Sequence, residues 1–260
     1  MGKEITETKK GLSACTLKII ACITMFIDHF GSAVLEKGYL NPSISGIPES
    51  SSLYNSLLIL NTVCRSVGRL AMPIFYFLMV EGFIHTRNRW KYLINMLIFG
   101  VISEVPFDIA FFHESFHPMY QNIYFNLAFS LLMLIAWDKF VGESYSSASA
   151  AQKTKAILSV IGICIAASLT FTDYYMIGPV IALIFYLNHD KEKDRNIESG
   201  IVFFAVSAFG MGEFLACFDF ILFHFYNGKR GRQLKYLFYA FYPGHILILI
   251  LIRYLLFKTI

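Results

Sequence analysis

The chain has 260 residues and a formal net charge of +4; 56% of its residues are hydrophobic and only 15% are charged. A soluble globular domain carries about 25% charged residues, so this composition excludes a water-soluble protein. The mean hydropathy of +0.56 also indicates an integral membrane protein. We expect one all-α domain over 1–260, built as a polytopic transmembrane helix bundle with the lipid bilayer as its surroundings and no nucleic-acid partner.

Runs of about 18 or more apolar residues with few charges are typical of membrane-spanning helices. Segment 176–188 is short, and 53–64 is too short to span, which favours a re-entrant or interfacial helix. Segment 198–225 carries Gly210 and Gly212 at its middle, so it is either one tilted helix or a broken pair. We predict about eight helices, or nine to ten with broken or re-entrant ones, at 15–35, 67–85, 92–112, 121–137, 154–171, 176–188, 198–225 and 235–257.

The distribution of lysine and arginine predicts the orientation, because these residues collect in cytoplasmic loops. They occur in the tail 1–14 and after the second, fourth and sixth segments, whereas 113–121 and 172–175 contain none. This alternation predicts a cytoplasmic N-terminus. The basic segment 226–235 fits only if 198–225 enters and returns as a hairpin, which we favour because glycines lie where it would turn.

Ionisable residues inside a bilayer cost several kcal/mol unless they are paired or hydrated, so each is a candidate functional residue. Asp28 and His29 lie near the outer end of the first segment. A histidine near a carboxylate is suited to general base catalysis, although helix neighbours point about 100° apart and a structural aspartate is the alternative. Arg69 and Glu81 lie near the two ends of the second segment, and Glu81 shares a face with His85.

Two prolines predict irregular helices. Pro73 lacks an N–H group and predicts a kink four residues after Arg69. Pro106 lies between two carboxylates and favours a broken helix that lines a cavity. On the last segment, Tyr242 and His245 share a face, with aromatic packing as the alternative. The candidate cavity-lining residues are Ser103, Glu104, Asp108, Asn122, Asn126, Asp173, Tyr174, Tyr242 and His245.

Several common catalytic motifs are absent from the sequence. It contains no P-loop, no dinucleotide-binding glycine motif, no G-x-S-x-G elbow and no H-E-x-x-H motif. The five cysteines show no metal-ligand spacing, so we expect no metal site. No extramembrane stretch is long enough for a soluble catalytic domain, so any catalysis takes place within the membrane.

Long blocks of mixed polar and apolar character carry a family resemblance. TLKIIACITMFIDHFG, GRLAMPIFYFLMVEGFIHTRN, KYLINMLIFGVISEVPFDIA, QNIYFNLAFSLL, TDYYMIGPV, LFHFYNGKRG and LFYAFYPGHILIL occur in this order over nearly the whole chain. In these blocks the sequence resembles the TraX family of F-pilin acetylase-like membrane acyltransferases. One block departs from the family pattern, with Asn126 where the family usually has threonine.

The resemblance implies a membrane acetyltransferase that moves an acetyl group from cytoplasmic acetyl-CoA to an acceptor, either a protein N-terminus, a cell-surface sugar or a small amine. His29 matches the histidine held to be central in related acyltransferases, as a base or as a carrier of the acetyl group. Asp28 or Glu81 would orient it, and Arg69 or Asn122 would stabilise the oxyanion. The expected CoA-binding residues at the inner face are His85, Arg87, Arg89, Asn227, Lys229 and Arg230.

Two other functions fit part of the sequence. A proton-coupled transporter of a small solute would use the same intramembrane charges as a relay, but it does not need the basic loop at 226–231. A non-catalytic scaffold would have little reason to keep so many polar groups inside the bilayer.

Overall fold

Helices make up the regular secondary structure of the residues that the computed structural model describes, which are 11–142, 145–208, 213–232 and 235–258. The first helix, α1, covers Ala14–Phe30 and continues as a π-helix over Gly31–Tyr39. Ser13 caps α1 by accepting a hydrogen bond from the Thr16 N–H. Because π-helical stretches are rare and frequent at functional sites, this change of helix type directly after Asp28 and His29 is notable.

The second apolar region is a pair of helices in direct succession. A short helix, α2 (Pro42–Ser45), precedes α3 (Ser52–Gly68), and α4 covers Ala71–His85. The break between α3 and α4 falls at Arg69, whose carbonyl would be the helical partner of the N–H that Pro73 lacks. The interruption thus lies at Arg69 and Leu70, before the predicted kink at Pro73, which is itself inside α4. Segment 53–64 belongs to the longer helix α3, and α3 and α4 together form a helical region of 34 residues, Ser52–His85.

The helix α5 (Arg89–Phe112) is continuous, although Pro106 lies inside it. The prediction of a broken helix at Pro106 is therefore wrong. The chain then folds back into the bundle, and Asn122 caps α6 (Ile123–Phe140) by accepting a hydrogen bond from the Tyr124 N–H.

The helices α7 (Ala150–Leu169) and α8 (Ile177–Leu187) are joined by a loop that also enters the bundle. This loop forms an isolated bridge between Thr172 and Gln121. Tyr174 and Tyr175 have φ angles of 63° and 46°, in the left-handed region that non-glycine residues rarely adopt. Residues 173–175 therefore form a turn that precedes α8.

The region after α8 turns back on itself, so that its first and last residues lie at the same end of the bundle. It consists of α9 (Glu192–Ala208), a 3₁₀ segment (Glu213–Phe218) and α10 (Asp219–His224). Glu192 at the start of α9 and His224 at the end of α10 are joined by a hydrogen bond of 3.0 Å. The predicted hairpin is confirmed, while its predicted turn at Gly210 and Gly212 lies outside the described residues.

The last helix, α11 (Lys235–Phe257), packs against α5 and the π-helix. Its buried Arg253 donates hydrogen bonds to the carbonyls of Ile109 and Ala110, at 2.8 and 2.6 Å. These carbonyls belong to the last turn of α5 and have no partner within that helix. Arg253 therefore caps α5 from the side, which accounts for an arginine in the hydrocarbon region.

The loop 226–232 docks on the start of α1. The N–H groups of Ala14 and Cys15 donate to the carbonyls of Lys229 and Arg230, at 2.8 and 3.1 Å. Backbone bonds between Leu12 and its partners in this region add to the contact. The first N–H groups of a helix need such partners, so the loop satisfies the N-terminus of α1. We call the end of the bundle that holds this contact the basic end.

Among the described residues, six helical stretches are long and apolar enough to cross a membrane: Ala14–Tyr39, Ser52–His85, Arg89–Phe112, Ile123–Phe140, Ala150–Leu169 and Tyr236–Phe257. Ile177–Leu187 and Phe214–His224 are shorter apolar helices. The protein is therefore an all-α, multi-pass membrane protein, as the sequence predicts.

Gly178 in α8 offers a test of the packing. A Cβ atom at this position would overlap with Asn126 Oδ1 and the Tyr76 hydroxyl, which are joined by a hydrogen bond of 2.5 Å. We expect Gly178→Ala to lower the free energy of unfolding by about 1–3 kcal/mol, as overpacking does. Thermal unfolding of the detergent-solubilised protein measures this change.

The matched control is Gly162→Ala in α7, where a Cβ atom would meet nothing within 4 Å. We expect it to leave stability unchanged or raise it by up to about 1 kcal/mol, because alanine is the better helix former. Equal effects of the two substitutions would contradict the packing described for Gly178.

Candidate functional site

A large cavity opens at the basic end of the bundle and has a volume of about 870 Å³. Its mouth lies between the start of α1, the end of α4, the start of α5 and the loop 226–232. Basic side chains from these elements surround the mouth: Lys18, His85, Arg87, Lys91, Arg230 and Arg232. This cavity, which we call the main cavity, can therefore attract an anionic group at its entrance.

Further inside, the wall of the main cavity becomes apolar and aromatic. Met25, Phe75 and Leu127 line it, together with the rings of Tyr92, Tyr124, Tyr239 and Phe241. The lining runs along α1 from Ala14 to Met25, which corresponds to a depth of about 16 Å at the helical rise. A long, flexible, mostly apolar arm fits this shape better than a compact polar solute does.

Glu81 lies on the cavity wall near the mouth and is 7% exposed. Its carboxylate binds His189 Nε2 at 2.6 Å and accepts a hydrogen bond from the Tyr226 hydroxyl at 3.0 Å. His85 lies 3.8 Å from the same carboxylate. These contacts hold the ends of α4, α8 and α10 together.

This position corrects one prediction about Glu81. The residue does not orient His29, because ten residues of α4 separate it from the helix start near Asp28, a rise of about 15 Å. Sequence reasoning also missed His189, which follows a short segment and carries no motif.

His29 is paired with a second histidine, His245 of α11, which we call the histidine pair. His29 Nδ1 lies 2.7 Å from His245 Nε2, and the rings stack with centroids 4.9 Å apart. His245 Nδ1 lies 2.9 Å from the carbonyl of Phe241. A carbonyl only accepts, so Nδ1 of His245 carries the hydrogen, and its Nε2 accepts from His29 in the neutral pair. His29 Nε2 is then left as the unprotonated nitrogen, which is the state required of a base.

Tyr242 separates the main cavity from the histidine pair. It lines the cavity, while His29 and His245 are not among the lining residues. Its ring centroid lies 6.0 Å from that of His29 and 5.5 Å from that of His245. The next residue, Pro243, lacks the N–H group that would donate to the carbonyl of Tyr239 one helical turn earlier. The Tyr124 hydroxyl donates to this carbonyl instead, at 3.1 Å.

On the other side of His29 lies a cluster of charges, formed by Asp28, Arg65, Arg69 and Asp173. Arg65 Nη1 lies 2.9 Å from Asp28 Oδ2, and the charges of Arg69 and Asp173 interact with that of Asp28. Gly68 packs so closely on Asp28 that a Cβ atom would overlap its carboxylate. Asp28 therefore fixes the α3–α4 break against α1 and does not orient His29.

Asp173 belongs to the loop before α8, outside the spanning helices. Burial raises the pKa of its carboxyl group, and the Tyr120 hydrogen bond of 2.7 Å and the two arginines oppose this shift. The charge of Asp173, followed by burial, raises the pKa of the Tyr120 hydroxyl. Tyr120 therefore stays protonated and donates to Asp173.

Most of the predicted cavity-lining residues lie in contacts between helices instead. Asn122 donates to Glu104 and to the carbonyl of Gly100, the latter at 2.9 Å. Asn126 donates to Thr172 Oγ1 at 2.9 Å and to the carbonyl of Tyr175 at 2.6 Å. These bonds fix the two loops that enter the bundle.

The remaining candidates are also bound within the bundle. Ser103 donates to the carbonyl of Phe99, at 2.6 Å, and Asp108 accepts from the N–H of His117, at 2.8 Å. Tyr174 lies in the left-handed turn before α8. Of the nine predicted lining residues, only Tyr242 lines the main cavity.

Three of the six predicted CoA-binding residues, His85, Arg87 and Arg230, line the main cavity. The other three do not. Arg89 is paired with Asp138, and Asn227 uses its side chain to bind the carbonyl of Gly11 and the N–H of Lys229. Lys18, Lys91 and Arg232 take their place, although each resembles an ordinary basic residue at a helix end.

Fold and site together define a class of protein: a multi-pass membrane protein in which a cavity with a basic mouth ends at a tyrosine that packs on a histidine pair. The TraX protein family model matches residues 13–253, so the chain belongs to the TraX family.

A curated relative is the probable fimbrial assembly protein FimC, serogroup H1, of Dichelobacter nodosus. It is 28% identical to this chain over 262 aligned residues, which cover 91% of the chain and 94% of the relative. No solved structure matches the chain.

The contact of His189 with Glu81 predicts a pH-dependent stability. The hydrogen bond to Glu81 raises the pKa of His189 above its usual value of 6.5. A raised pKa means that the stabilisation is complete below about pH 6.5 and is lost as the pH rises through the higher value in the folded protein. We therefore expect the melting temperature to fall as the pH is raised above 6.5.

The substitution Glu81→Gln should flatten this pH dependence, because it removes the charge that favours protonated His189. The control His224→Gln alters a histidine whose contact with Glu192 lies at the surface, and it should leave the pH dependence unchanged. The measurement is the melting temperature of the wild type, Glu81→Gln and His224→Gln at a series of pH values. The same dependence of melting temperature on pH in Glu81→Gln and the wild type would contradict the role given to the His189–Glu81 contact.

Proposed function

We propose that this protein is an integral membrane acetyltransferase that moves an acetyl group from cytoplasmic acetyl-CoA to an amine or hydroxyl of a protein N-terminus or cell-surface sugar. One observation carries the proposal: the main cavity runs from a basic mouth to an end that Tyr242 shares with the histidine pair. The location is the bacterial inner membrane, with the basic end in the cytoplasm, in accordance with the positive-inside rule.

The main cavity matches the chemistry of CoA in its two parts. Arg87, Lys91 and Arg230 at the mouth would hold the phosphates by charge-assisted hydrogen bonds. The apolar and aromatic stretch beyond them would hold the pantetheine arm. The thioester would then lie at the inner end, next to Tyr242.

In this proposal His29 is the base. Its Nε2 takes the proton from the acceptor as the acceptor nitrogen or oxygen bonds to the acetyl carbon. The bond from that carbon to the CoA sulfur breaks, and His29 returns the proton to the sulfur. In a second route, His29 Nε2 itself carries the acetyl group between donor and acceptor. Both routes need the unprotonated Nε2 that the bond to His245 provides.

His245 is the positioning residue in both routes, because its bond to Phe241 sets the tautomer of the pair. Of the two predicted oxyanion-stabilising residues, Arg69 carries a positive charge in the cluster next to His29, whereas the neutral Asn122 amide is bound to Glu104 and Gly100. A positive charge near the developing oxyanion would lower the barrier.

The acceptor reaches His29 from the side away from the main cavity. The curated relative is named as a fimbrial assembly protein, which favours a protein subunit of a surface fibre over a small molecule. The charge cluster of Asp28, Arg65, Arg69 and Asp173 lies on the same side of His29 and would form the polar surroundings of the acceptor.

The transporter alternative draws on the same charge cluster, which would serve as a proton relay. It does not need CoA, so the two functions separate in a simple binding experiment. Under our proposal, CoA raises the melting temperature of the solubilised protein by mass action.

The proposal is tested by transfer of labelled acetyl groups from acetyl-CoA with purified protein in nanodiscs. We expect His29→Ala to lower the transfer rate by about 100-fold or more, the contribution of a general base, while CoA still raises the melting temperature. The matched control is His224→Gln at the surface of α10, which should transfer normally. Undiminished transfer by His29→Ala would overturn the assignment.

The position of Tyr242 leads to a separate expectation, which rests on the same proposal. If this ring closes the inner end of the cavity, Tyr242→Ala should let water reach the thioester and raise hydrolysis of acetyl-CoA severalfold without an acceptor. Tyr242→Phe keeps the ring and should hydrolyse acetyl-CoA at the wild-type rate. Release of free CoA thiol measures both rates; equal hydrolysis by Tyr242→Ala and wild type would show that the ring is not the barrier.

A further inference from the structure

A second groove lies at the basic end and has a volume of about 600 Å³; it adjoins the main cavity, with which it shares Thr86, Arg87 and Asn88. It is formed by the loop between α4 and α5, the first residues of α5 and the end of α6. Its lining residues are Thr86, Arg87, Asn88, Arg89, Trp90, Ile135, Asp138 and Lys139. We call it the headgroup groove.

The charges of the headgroup groove leave a positive surplus. Arg89 is paired with Asp138, and it is held by the ring of Phe83, with the guanidinium carbon 4.2 Å from the ring centroid. Asp138 also accepts a hydrogen bond from the Tyr186 hydroxyl, at 2.9 Å. These contacts make a fixed wall, and they leave the charges of Arg87 and Lys139 uncompensated by any ion pair within the part of the chain that the structure describes.

An apolar stripe on α5 leads directly into this groove. Trp90 is 59% exposed, and exposed apolar side chains follow it on the same helix face: Ile94, Leu97, Ile98, Val101 and Val105. From Trp90 to Val105 the stripe covers sixteen residues of α5, or about 22 Å of helix. This exceeds the acyl region of one leaflet, which is about 15 Å deep in a hydrocarbon core of about 30 Å, so the face is long enough for the acyl chains of a lipid.

The headgroup groove and the stripe together have the form of one lipid site. A tryptophan at the boundary between the two is typical of the membrane interface. Basic pockets between membrane helices on the cytoplasmic side bind anionic lipid headgroups. We propose that the groove binds the phosphate headgroup of an anionic phospholipid, with Lys139 as the cation that belongs to this groove and not to the main cavity, and with the acyl chains on the α5 stripe.

A free anion such as inorganic phosphate could bind the same basic side chains as a lipid headgroup, but it would make no contact with the apolar stripe or with Trp90. The proposed lipid site differs in position from the proposed site of the CoA phosphates, since Trp90 and Lys139 line the headgroup groove and do not line the main cavity. Substitutions at these two residues therefore test the lipid site without altering the proposed donor site. The inference also stands if the proposed acetyl transfer fails.

The test uses the fluorescence of Trp90. The chain has two tryptophans, so Trp137→Phe leaves Trp90 as the reporter, and the full-length protein with this substitution is placed in nanodiscs. Small equal fractions of brominated phosphatidylglycerol or brominated phosphatidylcholine are added to otherwise zwitterionic lipid. We expect stronger quenching by the brominated phosphatidylglycerol, because the bromines on its chains are held beside Trp90.

Lys139→Gln in the same background should lower the preference for phosphatidylglycerol about fivefold, the effect of one basic residue near an anionic surface. The control Lys155→Gln removes one charge from the exposed start of α7 and should keep the preference. Equal quenching by the two lipids, or an unchanged preference in Lys139→Gln, would overturn the proposal. Loss of the preference on addition of inorganic phosphate at constant ionic strength would identify a soluble anion as the ligand and would also overturn it.

Discussion

No polar group inside the hydrocarbon of a bilayer can be left without a partner at low cost, and this constraint accounts for several hydrogen bonds that join distant parts of the bundle. Arg253 is bound to the last carbonyls of α5. The Tyr124 hydroxyl takes the place of the N–H that Pro243 lacks. The loop 226–232 provides acceptors for the first N–H groups of α1. In each case a helix end or a proline creates the need, and a residue far away in sequence meets it.

The same constraint explains what sequence reasoning predicted well. Apolar length and charge alternation act along the chain, so they predicted the helical class, the order of the spans and the return of the α9–α10 region. The position of the loop 226–232 at the same end of the bundle as the start of α1 was also predicted, from the distribution of charge alone. The position of Tyr242 and His245 on one face of the last helix was predicted from local spacing.

The errors concern contacts between distant segments. Pro106 was predicted to break α5, but a proline in a long apolar helix is tolerated when neighbouring helices satisfy the freed groups. Glu81 and Asp28 were both assigned to His29, whereas their partners are His189 and Arg65. No local pattern predicts that His29 and His245, 216 residues apart, share a hydrogen bond. Arg65 could have been found, since it lies one helical turn before Arg69 on an otherwise apolar helix.

The docking of the loop 226–232 on the start of α1 determines where the last helix begins. Because α9 and α10 form a hairpin that returns to the basic end, α11 starts from that end. Arg253 and Phe257 lie against Ala110, Ala33 and Gly38, at the far ends of α5 and the π-helix. The start of α1 and the end of α11 therefore lie at opposite ends of the bundle, and any partner that binds one of them is a full helix length away from the other.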